Sequence, residues 1–166
     1  MPRKSSAQHR SGCPVSAALE LLGDKWSLLI VRDVMVRGYH TFREFQRSGE
    51  GIATNILTDR LHKLEEGGVL LREPAAEDGR STNYRLTEKG IALGPALLEL
   101  LIWGAHYEET DAPCAAIQHV EQNRASVIAE AYRRWERRDP SPLIPPFVTT
   151  ARPNSKSISP KGRSKQ

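Results

Sequence analysis

Five polar residues between positions 54 and 62 have the types and spacing to read duplex DNA. At about 100° per residue, Thr54, Asn55, Thr58, Asp59 and His62 fall on one arc of a helix, while Ala53, Leu57, Leu61 and Leu64 share the opposite face. An Asn side chain can bond adenine N6 and N7 together, and a Thr can bond a phosphate or touch a thymine methyl. The N-terminal part of such a helix goes deepest into the major groove, which singles out Asn55 as the base reader. His62 and Lys63 are placed for backbone contacts. Plainer readings stand beside these: Asn55 as a solvated surface residue, and Thr54 or Thr58 as a helix cap. Arg60 falls towards the apolar side, where it would pair with a Glu or pack by its stem.

Cations flank this stretch. Arg43 and Arg47 precede it and are expected to face phosphates. Arg80 follows Asp78-Gly79 in a tight turn, where it would either enter a minor groove or pair with Glu77 or Asp78. There is no nucleophile motif, phosphate loop or catalytic pair, and the five His lack metal-like spacing. Neither enzyme activity, a metal nor a cofactor is expected. Cys13 and Cys114 are too few for a disulfide framework and form no CxxC. Cys13 precedes a helix start, where the dipole favours a thiolate; a structural thiol fits equally well. Cys114 has no comparable argument.

The elements that must position these residues follow from periodicity and punctuation. Cys13-Pro14 opens a helix with Val15, Ala18, Leu19 and Leu22 at helical spacing, and Gly23 ends it. Asp24 caps a second helix, with Trp26, Leu29, Ile30, Val34 and Met35 as its buried stripe and Gly38 as its stop. Thr41 caps a short helix whose Phe42 and Phe45 point inward. A turn at 48–51 leads into the helix at about 53–66, which Gly67-Gly68 terminate. Val69 to Arg72 read as a strand, residues 77–80 as a turn, and Thr82 to Leu86 as the return strand. Thr87 caps a longer helix through Ile91, Leu97, Leu98, Leu101, Ile102 and Trp103, with a kink at Pro95. Residues 115–138 read as one last amphipathic helix through Ile117, Val120, Val127, Ile128, Ala131 and Trp135. Trp26, Trp103 and Trp135 are expected to be packing anchors. Helix, turn, helix, hairpin is the order of a winged helix-turn-helix: mainly α with a small β-hairpin.

The 166 residues divide into a basic tail at 1–12, a winged domain at 13–112, an amphipathic helical region at 113–139 and a Pro/Ser/basic tail at 140–166. Both tails read as disordered. The net charge of +4 is misleading as a sign of DNA binding. The tails hold eight Lys and Arg and no acid; removing these from 24 leaves 16 bases against 20 acids, so residues 13–139 are formally −4. No apolar run approaches the roughly 18 residues of a membrane span, and no secretory h-region follows the N-terminal cations. A cytoplasmic protein without a membrane partner is expected.

The runs CPVSAALELLGDKWSLLIVRDVM, TFREFQ, GIATNILTDRLHKLEEGGVLLRE, YRLTEKG and LGPALLELLIWGAHY resemble the HxlR family of bacterial transcriptional regulators, relatives of the MarR family. The resemblance covers about residues 13–107, in matching order and spacing. It implies a homodimeric DNA-binding regulator, often a repressor, at a palindromic operator on double-stranded DNA, with terminal helices forming the dimer interface. Val15, Leu19, Leu98, Ile102 and Trp103 are the expected interface residues, because the 87–107 helix carries more apolar residues than a small wing can cover. The resemblance also implies a response to oxidants, aldehydes or an unidentified effector. Some relatives have a cysteine at the CPV position that senses oxidants through an intersubunit disulfide. Thr41 and Asn55 stand where the family often has basic residues, so its phosphate and base contacts need not transfer. The competing class is a winged-helix protein-interaction module, which a steep salt dependence and operator discrimination would exclude.

Overall fold

The computed structural model describes residues 10–75 and 82–144. The chain runs as α1 (Pro14–Leu22), α2 (Lys25–Arg37), α3 (Phe42–Gln46), α4 (Thr54–Glu66), β1 (Leu70–Pro74), β2 (Thr82–Leu86), α5 (Glu88–Ile91), α6 (Gly94–Tyr107), α7 (Cys114–Gln122) and α8 (Arg124–Arg137). The two strands pair antiparallel, with Leu70 opposite Leu86 and Pro74 opposite Thr82. The first strand lies one residue later than its apolar run suggests. Val69 instead accepts the Thr87 N–H through its carbonyl, which closes the base of the hairpin.

Local chemistry explains the boundaries. Asp24 caps α2 by accepting from the Ser27 N–H at 2.9 Å and the Ser27 hydroxyl at 2.7 Å. Gly38 ends α2 in the left-handed region, at φ 72°. Thr41 and Glu44 form a reciprocal capping box around α3. The main core joins α2, α3, α4, the hairpin and α5 through buried Ile30, Val31, Phe45, Leu57, Leu61, Leu64, Leu70, Leu86 and Ile91. Phe45 meets Tyr84 edge-on, with ring centroids 6.0 Å apart, and so fastens α3 to the return strand.

The long helix expected after Thr87 is two helices. The chain leaves the helix at Ala92-Leu93, and Pro95 sits in the first turn of α6. There its missing N–H has no intrahelical partner to lose, so proline starts a helix instead of kinking one. The expected 115–138 helix is also two. Asn123 separates α7 from α8, and its side-chain amide donates to the His119 carbonyl at 2.8 Å. Such a local bond competes with helix continuation. The break lets α7 and α8 both pack on α6, with Leu98, Ile102 and Val120 forming a second buried cluster. Taken end to end, Glu88–Tyr107 is long and apolar enough to cross a membrane, contrary to the sequence expectation. In this fold it is interrupted after Ile91, and one face of α6 is covered by the two following helices.

That second cluster corrects the expected dimer surface. Leu98 and Ile102 are only 7% and 5% exposed, because α7 and α8 of the same chain cover them. Val15, Leu19 and Trp103 are open, at 65%, 56% and 54%, and Leu100 and Tyr107 are open beside them in α6. Trp103 is therefore not a core anchor, although Trp26 and Trp135 both pack against the main core. The first residues of the expected C-terminal tail are ordered. Leu143 donates its N–H to the Val36 carbonyl at 2.8 Å, and Arg134 donates to the Ser141 carbonyl at 3.1 Å and to that of Pro142. A Cβ at position 38 would lie 1.8 Å from the Pro140 carbonyl oxygen, so this return over α2 also depends on glycine.

Candidate nucleic-acid interface

The outward arc of α4 matches the sequence expectation. Thr54, Asn55, Thr58, Asp59 and His62 are exposed, while Leu57, Leu61 and Leu64 on the inner face are buried. Ala53, expected on the inner face, is exposed instead, because it stands at the helix start as its N-cap and offers no side-chain cap. Neither threonine caps the helix: Thr54 Oγ1 accepts from the Gln46 amide at 2.8 Å, and Thr58 Oγ1 donates to the Thr54 carbonyl at 2.9 Å. The first bond ties α3 to the start of α4. The second leaves the Thr58 oxygen free to accept and its side chain facing outward. Among the described residues, no hydrogen bond or ion pair engages the side chain of Asn55, Arg43 or Arg47, and all three are exposed. Such groups meet a polyanion without first breaking protein contacts.

Two cations on the inner flank of α4 are already committed. Lys63 Nζ lies 3.7 Å from Asp24 Oδ2, and Arg60 lies 3.6 Å from the same oxygen and 3.4 Å from Asp59. Lys63 is thus turned towards the start of α2, which weakens its expected phosphate role. Arg60 pairs with aspartates instead of a Glu. Burial raises the Asp24 pKa, but the two Ser27 hydrogen bonds and the charges of Arg60 and Lys63 more than offset it, so the carboxyl ends below its ordinary range. Asp24 is therefore an ionised post joining the start of α2 to α4.

Sequence reading missed the group that braces the turn between α3 and α4. Asp33 is buried in α2 and is held by Arg32 at 2.6 Å and Arg37 at 3.1 Å. Arg32 reaches Glu50 at 2.9 Å, and Arg37 donates to the Ser48 carbonyl at 3.0 Å. Burial is the largest influence on Asp33 and outweighs both guanidinium groups, so its pKa is raised. The available signal was the i,i+4 pairing of Asp33 with Arg37 beside an Arg at 32. Under α3, Glu44 accepts from the His40 and Thr41 N–H groups and from the Thr41 hydroxyl. Its pKa is pushed up by burial but brought down further by these bonds and by His40, so it ends below its usual value.

The wing is described up to the ends of its strands. Arg80, with Glu77, Asp78 and Gly79, lies outside the described residues. On β1, exposed Arg72 lies over the Tyr84 ring at 5.9 Å and 4.0 Å from Glu65. At the far end of α4, Lys89 donates to the Gly67 carbonyl at 2.7 Å, which binds the wing's exit to the end of that helix. Cys13 and Cys114 are both free and exposed. No group of three or more His, Cys, Asp or Glu side chains able to hold a metal occurs among the described residues.

A short helix braced against a second helix with an open polar arc, followed by a two-stranded wing, defines a winged helix-turn-helix DNA-binding protein. Sequence comparison agrees and narrows the class. The chain belongs to the HxlR-like helix-turn-helix family, whose model matches residues 21–112. The HTH-type transcriptional regulator YodB of Bacillus subtilis is 33% identical over 104 residues, 61% of this chain and 92% of that protein. YdeP of the same organism, described as an uncharacterized HTH-type transcriptional regulator, is also 33% identical over 104 residues, 63% of this chain and 80% of its own length. Among solved structures, the redox regulator HypR in its oxidized form aligns with TM-score 0.53 and 32% identity, over 59% of this chain and all of that one. The protein is a DNA-binding transcriptional regulator. Helices α7 and α8 lie beyond the matched family region.

Proposed function

We propose that this chain acts in the cytoplasm as a homodimer at a palindromic operator, with one α4 in each of two successive major grooves, and that it represses transcription there. The observation that carries this reading is the outward arc of α4: five polar side chains are exposed above a fully buried leucine face, with Asn55 unengaged near the start. Asn55 sets base preference, Thr58 and Asp59 adjust it, and Arg43 and Arg47 supply affinity through phosphates. Two copies meet through the open apolar residues Val15, Leu19, Leu100, Trp103 and Tyr107, which α7 and α8 leave uncovered. The two recognition helices then stand one DNA turn apart, about 34 Å.

The test begins with selection of bound duplexes from a random pool. Asn55→Ala is expected to cost about 1–3 kcal/mol at the selected operator and to relax preference at one base position. Arg43→Ala is expected to weaken binding to every sequence and to flatten the salt dependence by about one counterion. An Asn55→Ala protein that keeps both motif and affinity would remove α4 as the reader. Salt-insensitive capture of a protein in place of DNA would favour the interaction module.

Regulation by oxidation belongs to the same reading. Cys13 is exposed at the start of α1, two residues from the open Val15. We propose that diamide joins the Cys13 thiols of two subunits: two S–H bonds break, one S–S bond forms, and the two protons and two electrons reduce the diazene to a hydrazine. Tying the α1 ends would change the spacing of the two recognition helices and lower operator affinity. Non-reducing electrophoresis should show a covalent dimer in the wild type and in Cys114→Ser, and none in Cys13→Ser. A Cys13→Ser protein that still cross-links and still loses operator binding under diamide would leave Cys13 a structural thiol.

A further inference from the structure

A cavity of about 630 Å³ lies between the winged domain and the helices that follow it. Its walls are Met35 of α2, Leu97 and Leu101 of α6, Ile117 of α7 and Ile128 of α8, with Leu143 from the returning segment. Three of these six come from residues beyond the region matched by the family. Its polar lining comes from Arg32, Arg37, Tyr39, Ser48 and Thr110. The two guanidinium groups are already neutralised by Asp33 and Glu50, at distances from 2.6 to 3.8 Å. The two cations in the lining are therefore matched by two carboxylates and leave no net charge to draw an anion.

We infer that this cavity is a binding site for a neutral, predominantly apolar small molecule, aromatic or branched aliphatic. Its volume falls within the roughly 300–1,000 Å³ of small-molecule pockets, and its lining is predominantly apolar with a few polar groups. A second copy is a poor fit. Of the five open apolar residues, only Leu100 lines the cavity; Val15, Leu19, Trp103 and Tyr107 do not. An occupant would be felt at the wing, because α8 lines the cavity and is bonded to the hairpin. Ala131 of α8 lines the cavity, and one turn later Trp135 Nε1 donates to the Leu86 carbonyl at 2.7 Å. Arg85 of β2 returns a bond to the Trp135 carbonyl at 2.6 Å and lies over the Trp135 ring at 5.2 Å. The site itself does not depend on the operator reading, so its test contains no DNA.

The experiment is titration of the full chain with N-phenylnaphthylamine, a neutral fluorophore that brightens in apolar surroundings. Two variants fill the cavity from opposite walls. Gly104→Leu does so from α6, where an added Cβ meets nothing within 4 Å, and Val127→Phe does so from α8. Saturable binding to the wild type, weakened at least about tenfold in both variants while helical signal and sedimentation are unchanged, is the expected result. No saturable binding, or equal binding to all three proteins, overturns the proposal; equal binding would place the probe on the open apolar face. Probe binding that dissociates the wild-type dimer assigns the cavity to a second copy and also overturns it. Binding by Phe147→Ser but not by the wild type would assign it to the chain's own C-terminal segment, with the same consequence.

Discussion

Trp103→Asp is expected to yield a folded monomer with at least a hundredfold weaker operator binding. The indole is 54% exposed and rests on Tyr107, with ring centroids 5.6 Å apart, so few contacts within the chain are lost. Between two copies, the same position would place two unpaired carboxylates in an apolar contact, which is strongly unfavourable. A monomer engages one half-site and loses the effective concentration that couples the second, a factor on the order of a hundred or more. Sedimentation, thermal melting and operator titration together distinguish this from general damage. Leu98→Asp is the contrast: it buries a carboxylate beneath α7 and α8 and should unfold the C-terminal cluster. A Trp103→Asp protein that remains dimeric at micromolar concentration and binds the operator normally would show that the copies meet elsewhere.

Phe45→Ala is expected to cost about 3–5 kcal/mol, the usual range for emptying a buried aromatic site. The ring is buried between α3, α4 and the return strand and loses its edge-on partner Tyr84. Its rigid neighbours are helices and a hairpin held by their own backbone bonds, so the space cannot readily collapse. The melting temperature should fall by on the order of 10 °C. Operator affinity should fall even well below that temperature, because α3 both props α4 and carries Arg43. A loss below about 1 kcal/mol in chemical denaturation would show that this core is loosely packed.

Helix α4 was legible because its two faces differ in kind. Leucines at 57, 61 and 64 and polar residues at 54, 55, 58, 59 and 62 leave one orientation for the segment. The destination of apolar residues in α6 was not legible. Periodicity shows that Leu98 and Ile102 share a face, but not whether that face meets the same chain or another. The answer depended on Asn123, whose local bond turns α8 back across α6. Pro95 was misplaced for a related reason: the same residue starts one helix or bends another, according to whether the preceding turn is already broken. Asp33 stayed hidden because a charged residue in a helix is ordinarily solvated. Only the folded turn at Ser48 and Glu50 supplied the remaining partners of its two arginines.

The bonds between Trp135 and the hairpin bear on where this protein can be divided. The family match ends at residue 112, yet the Leu86 carbonyl and the Arg85 guanidinium reach their partners some twenty residues beyond it. Excision at that point would strip the wing of its buttress and leave the apolar side of α6 as a sticky surface. In this regulator, the family match and cooperative folding draw the module's edge in different places. Residues beyond the match are part of the frame that holds the matched region.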